Sequence, residues 1–194
     1  MISNKTALVA ALASTAVAVG SPSAAGAGQT QTQQQHHTAQ EVIAKLGLIP
    51  NVEKGYYIES FADAAKVVSA AAANASAPAR AASTAIYYLL EGADGESRWH
   101  RVLDAPEVWH YYAGAPLVLS LSLDDGAAPT RRVLGPDVFA EGQLEQRPQV
   151  VIRTGEWQRA RSLGEWTLVG TTVAPGFSPE GFELAPEGWE PRCS

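Results

Sequence analysis

The chain has 194 residues, a net charge of −6 and a pI near 5.2. Its 46% hydrophobic content is ordinary for one globular domain with extensions. The acidic balance and the lack of any basic cluster exclude a nucleic-acid partner, which requires a positive face.

At the N-terminus Lys5 precedes an apolar run from Ala7 to Gly20, and Ala25-Gly26-Ala27 fits the small-x-small cleavage rule. Residues 1–27 therefore read as a secretory signal peptide, with a secreted mature chain beginning near Gly28. The run is too short and too alanine-rich to span a bilayer, so no membrane partner is expected. Residues 28–37 are polar and of low complexity and read as a linker, with His36 and His37 solvated. Thr38-Ala39-Gln40-Glu41 is a capping box, Val42, Ile43 and Leu46 follow at helical spacing, and Gly47 can end the helix. This predicts a helix over 39–46, covering one end of the domain.

Gly55–Phe61 alternates as a strand does. Residues 62–82 are alanine-rich and read as an insertion, a short helix followed by a loop. This segment carries the sequon Asn74-Ala75-Ser76, so Asn74 is expected to be glycosylated. From residue 83 onward the chain reads as short strands: 84–90, 99–103, 108–112, 117–123, 133–134, 149–153, 158–161 and 166–173. Asp124-Asp125-Gly126 is a turn between two of them. Many short strands at close spacing predict an all-β barrel or sandwich. Arg159 and Arg161 read as a solvated strand face, and residues 187–194 as a C-terminal tail. Cys193 is the only cysteine, which rules out an intramolecular disulfide and points to no thiol catalyst.

Residues 99–114, WHRVLDAPEVWHYYAG, carry the most chemistry. Their spacing resembles the first cupin motif, His-x-His followed by a Glu and, after six intervening residues, a Gly. His100 fills the first position, Val102 replaces the second His, Glu107 stands at the Glu and Gly114 at the turn. Further blocks are Leu46–Pro50, Glu53–Glu59, Ser83–Leu90, Gly155–Gln158, Leu168–Phe177 and Phe182–Leu184. Together they make the chain resemble the cupin-5 family, a branch of the RmlC-like cupins that is a domain of unknown function. The resemblance implies a jelly-roll barrel over 39–186 with a short N-terminal helix. Two positions depart from the family pattern. Lys54 stands where a Gly is usual, and Arg153 stands where a Pro is usual; both are expected near the pocket mouth.

Cupins commonly hold a divalent metal with three His and one Glu. Only His100 and His110 follow the linker, and Gln158 occupies the His position of the second cupin motif. One His, one carboxylate and one amide make a poor transition-metal set, so neither metal nor other cofactor is expected. Strand parity places His100, Val102, Glu107, Trp109 and Gln158 inside, with His110 and Tyr112 outside unless a bulge intervenes. The expected site has His100 and Glu107 as a general acid/base pair, with Tyr57, Tyr88, Trp109 and Gln158 as ligand contacts. This resembles the metal-free His base of dTDP-sugar epimerases in the same superfamily. The chemistry would be epimerase, isomerase or cyclase proton transfer on a small molecule. The alternatives are a non-catalytic ligand-binding or structural domain, and a divalent-metal cupin. A short, weakly charged edge strand near 56–61 further suggests a homodimer, with His110 and Tyr112 at its interface.

Overall fold

The computed structural model describes residues 36–68 and 79–193. The expected signal peptide and Asn74 lie outside the described residues, as does most of the linker. The helix α1 spans Ala39–Leu46. Thr38 caps it as the sequence predicts: the Glu41 N–H donates to the Thr38 hydroxyl at 3.3 Å and the Thr38 N–H to the Glu41 carboxylate at 2.8 Å. Gly47, at φ 67, reverses the chain at the other end.

In chain order the strands are β1 (Ile49–Pro50), β2 (Tyr56–Ala62), β3 (Lys66–Val67), β4 (Arg80–Ala81) and β5 (Thr84–Glu91). Then come β6 (His100–Val102), β7 (Glu107–Gly114), β8 (Leu117–Ser122), β9 (Thr130–Leu134) and β10 (Gln146–Arg147). The last are β11 (Gln149–Ile152), β12 (Trp157–Ser162), β13 (Trp166–Val173) and β14 (Phe182–Leu184). Two six-stranded sheets form, in the orders β1-β2-β5-β13-β7-β11 and β10-β9-β8-β12-β6-β14. All pairings within them are antiparallel except β10 with β9. This is the all-β jelly roll that the strand spacing and the family resemblance predict. The described ends of the alanine-rich insertion pair as antiparallel strands, β3 Lys66–Val67 with β4 Arg80–Ala81; the middle of the insertion, where the short helix is expected, lies outside the described residues. Among the described residues no helix is long and apolar enough to cross a membrane.

The sequence of β5, TAIYYLLE, is apolar on both faces, and both are used. Tyr88 and Leu90 face the space between the sheets, whereas Leu89 and Tyr87 face outward under α1. Val42, Ile43 and Leu46 of α1 join Tyr56, Ile58, Trp166 and Leu168 there. The helix thus covers the outer face of the first sheet; the expectation that it closes an end of the barrel is corrected.

Between the sheets, one half is filled. Leu117, Leu119 and Leu121 of β8, with Leu134 and Ala160, pack against Leu90, Val150, Ile152 and Val169. No comparable leucines come from the short strand β6, so the other half remains hollow.

Residues 187–193, expected as a tail beyond the barrel, lie along the outer face of the second sheet. Trp189 packs on Trp157 with ring centroids 4.4 Å apart and edge-on to Trp99 at 6.1 Å. Glu190 accepts from Trp99 Nε1 and from Arg159. Arg159 is therefore not a solvated side chain: it lies over the Trp99 ring and also pairs with Glu96. Replacing Trp189 by Ala is expected to cost about 2 kcal/mol, since a half-buried indole is lost from a packed cluster. Urea unfolding measures this, and an unchanged midpoint would show the segment contributes nothing.

Candidate active site

The hollow half encloses a cavity of about 530 Å³. His100 and Val102 of β6, Glu107 and Trp109 of β7, Tyr57 of β2 and Tyr88 of β5 all line it. Thr171 of β13, Phe177 and Phe182 line it as well. Alternation along β7 accounts for this: Glu107 and Trp109 are buried, while His110 and Tyr112 lie on the other face, 6.5 Å apart and stacked. The β7–β13 register slips at Tyr112, so the outward position holds with a bulge in place.

His100 is 3% exposed. Its Nδ1 lies 3.0 Å from the Arg98 carbonyl oxygen. A carbonyl only accepts, so Nδ1 carries the proton, and the Nε2 lone pair of the neutral ring is left over. That lone pair faces Glu53 Oε2 at 3.4 Å. Burial holds the His100 pKa below its usual value, against the pull of the Glu107 charge and the Arg98 hydrogen bond.

Glu53 has no counterpart among the expected site residues. It sits in the β1–β2 turn, which its own residues build. The Asn51 side chain accepts from the Glu53 N–H at 3.3 Å. Lys54 and Gly55 both take left-handed backbone, at φ 81 and 70. A Cβ on Gly55 would come within 2.4 Å of the Leu89 carbonyl, so only glycine fits there. Lys54 thus takes a backbone conformation that favours glycine, the residue the family pattern usually has at this place. The Glu53 carbonyl accepts from Arg98 N–H at 2.9 Å, tying the turn to the segment that also orients His100. Burial pushes the Glu53 carboxyl up to about 8. At neutral pH the pair is thus a protonated carboxyl donating toward a neutral imidazole.

Glu107 is also held above the usual carboxylate range by burial, opposed by the His100 charge and by hydrogen bonds. Gln158 supplies one of these bonds: its Nε2 donates to Glu107 Oε2 at 2.5 Å, and its Oε1 accepts from Trp109 Nε1 at 2.9 Å. Gln158 is fully buried and does not line the cavity. Its expected role as a ligand contact is therefore corrected to one of positioning Glu107 and Trp109. The carboxyl within 3.4 Å of His100 is that of Glu53, while Glu107 acts on the ring through its charge. Tyr88 lines the cavity with its ring, but its hydroxyl donates to the Lys54 carbonyl at 2.9 Å. Arg153 lies away from the cavity, at a smaller surface pocket. Its N–H donates to Glu156 at 3.0 Å, a bond that the family's usual Pro lacks.

The metal set common to cupins does not fit these residues. Gln158 is the direct cross-strand neighbour of His100, where a second ligand would stand. Both ends of its amide are already bonded, and Val102 replaces another ligand. Among the described residues no three His, Cys, Asp or Glu side chains converge to hold a metal ion.

Comparison with known proteins agrees with this architecture. Residues 40–185 match the family described as the cupin superfamily, domain of unknown function 985. A crystal structure of a Shewanella oneidensis protein is similar at 30% identity and a TM-score of 0.62, covering 77% of this chain and 85% of that one. A hypothetical protein from Leishmania major is similar at 29% identity and a TM-score of 0.64, covering 76% and 86% respectively. No curated protein matches the chain.

Proposed function

Since the chain belongs to the cupin-5 family of the cupin superfamily, and its cavity holds a buried His–carboxyl pair in place of a metal set, we propose that it catalyses metal-independent proton transfer on a small molecule. The reaction class is epimerisation, isomerisation or cyclisation next to a carbonyl. The observation that carries this reading is the 3.4 Å contact between His100 Nε2 and Glu53 Oε2 at the cavity wall. The pair shares one proton. With the proton on Glu53, the imidazole is a base able to take a proton from carbon. The carboxyl can then protonate the carbonyl oxygen as the C–H electrons move into the enol. Burial raises the Glu53 carboxyl to about 8 and lowers the His100 imidazole, so at neutral pH the carboxyl carries the proton and the ring its lone pair. Glu107, oriented by Gln158, stabilises the imidazolium that forms. Tyr57, Tyr88 and Trp109 provide the apolar walls.

Proton exchange tests this on an unfractionated mixture of candidate substrates. The protein is incubated with a metabolite extract in D₂O, and deuterium entering carbon positions is read by mass spectrometry. At least one metabolite should gain deuterium with the wild type, and none with His100→Ala. Glu107→Gln should keep the fold and slow exchange by roughly 10²–10⁴-fold. A metabolite that binds but never exchanges would overturn catalysis and leave a ligand-binding protein, the reading that the 3% exposure of His100 favours.

A further inference from the structure

The charge of the cavity restricts what it can take. Among the described residues no Lys or Arg lines it, and the only basic side chain there, His100, is held neutral with Nδ1–H committed to Arg98. Three glutamates face it: Glu53 and Glu107 within, and Glu59 on β2. The remaining wall is aromatic. Trp109 and Tyr88 meet edge-on at 5.8 Å on one side, and Phe177 and Phe182 at 5.6 Å on the other. Such a cavity repels an anion, because desolvating a phosphate or carboxylate beside buried carboxyls leaves its charge unpaired. A monatomic cation is equally ill served, since no three ligating side chains converge among the described residues. An organic ammonium suits both features: its N–H groups meet carboxyls, and its charge and hydrocarbon meet aromatic faces.

We propose that the cavity binds an organic ammonium carried on an apolar or aromatic body, with Glu107 as its counter-charge and the carbonyl oxygen of the Glu53 carboxyl as a hydrogen-bond acceptor. This rests on the reading of the cavity as the ligand site. It narrows the proposed substrates to carbonyl compounds that carry an amine and lack phosphate or carboxylate. Nucleoside-diphosphate sugars, the substrates of the epimerases the site resembles, are thereby excluded. The volume of about 530 Å³ lies within the range of small-molecule sites.

Three probes of one shape test the proposal: 2-phenylethylamine, 2-phenylethanol and 3-phenylpropionate, each titrated into the full chain by calorimetry. The amine should bind at least 10-fold more tightly than the alcohol, and the carboxylate should not bind measurably. Glu107→Gln should weaken the amine about 10-fold and leave the alcohol unchanged, whereas Glu53→Gln, which keeps the acceptor oxygen, should leave amine binding within about 2-fold. Unfolding curves check that both variants fold. Equal binding of amine and alcohol, or amine binding indifferent to Glu107→Gln, would overturn the charge assignment and leave the ligand site standing. Binding of the carboxylate as tight as the amine would overturn it too. If no probe binds, both the ammonium proposal and the reading of the cavity as a site for small aromatic ligands fall. Amine binding without deuterium exchange in any metabolite would retain this proposal and remove the catalytic one.

Discussion

Replacing Gln158 by Ala should destabilise the domain by about 3–5 kcal/mol, the largest effect expected of a single site residue. Gln158 is fully buried, and its amide bridges Glu107 and Trp109. Truncation leaves a buried carboxyl and a buried indole N–H without this partner, at about 1–3 kcal/mol each, and opens a cavity besides. For a domain of this size the melting temperature should fall by about 10 °C or more. Gln158→Met keeps most of the volume and removes only the polar bridge, so it should account for roughly half of the loss. Thermal and urea unfolding of both variants measure the effect. A loss below about 1 kcal/mol for Gln158→Ala would mean that the bridge is not formed in solution.

The second large effect is in the pH dependence of stability. The Glu53 pKa rises from 4.5 in the unfolded chain to about 8 in the folded one. Between these values the folded state holds one more proton, so stability is fully present below about 4.5 and is lost as pH rises through about 8. His100 acts in the opposite sense. Its lowered pKa costs stability as pH falls below its usual 6.5. The two oppose one another in mild acid; above about pH 6.5 His100 no longer offsets the loss due to Glu53. Wild-type stability should therefore drop by about 2 kcal/mol between pH 6.5 and roughly 8.5, at about 1.4 kcal/mol per pH unit up to the folded pKa. Glu53→Gln should reduce this slope, leaving the contribution of Glu107, whose pKa is also raised. Urea unfolding across this range decides it. Equal slopes in the two proteins would show that Glu53 titrates as an exposed glutamate.

Much of the architecture was written in local patterns. The capping box at Thr38–Glu41 and Gly47 mark the ends of α1, because caps are satisfied by neighbours a few residues away. Alternation along Glu107–Tyr112 separates cavity from surface, because side chains on a strand have a period of two. Spacing also put His100, Glu107, Trp109, Tyr57 and Tyr88 around one cavity.

What only the tertiary structure decided are pairings between segments distant in sequence. Glu53 is 47 positions from His100, and nothing local to the Asn51–Gly55 turn announces that Arg98 will draw it against the ring. Its elevated pKa follows from burial by those distant strands, so no motif encodes it. Gln158 occupies a motif position, yet whether an amide points at a ligand or bridges two neighbours depends on where Glu107 and Trp109 lie across the sandwich. The hollow half itself arises from volume, with leucines of β8 filling one end while β6 contributes His100 and Val102 to the other. Periodicity tells which face a residue takes; only packing tells how much space remains in front of it.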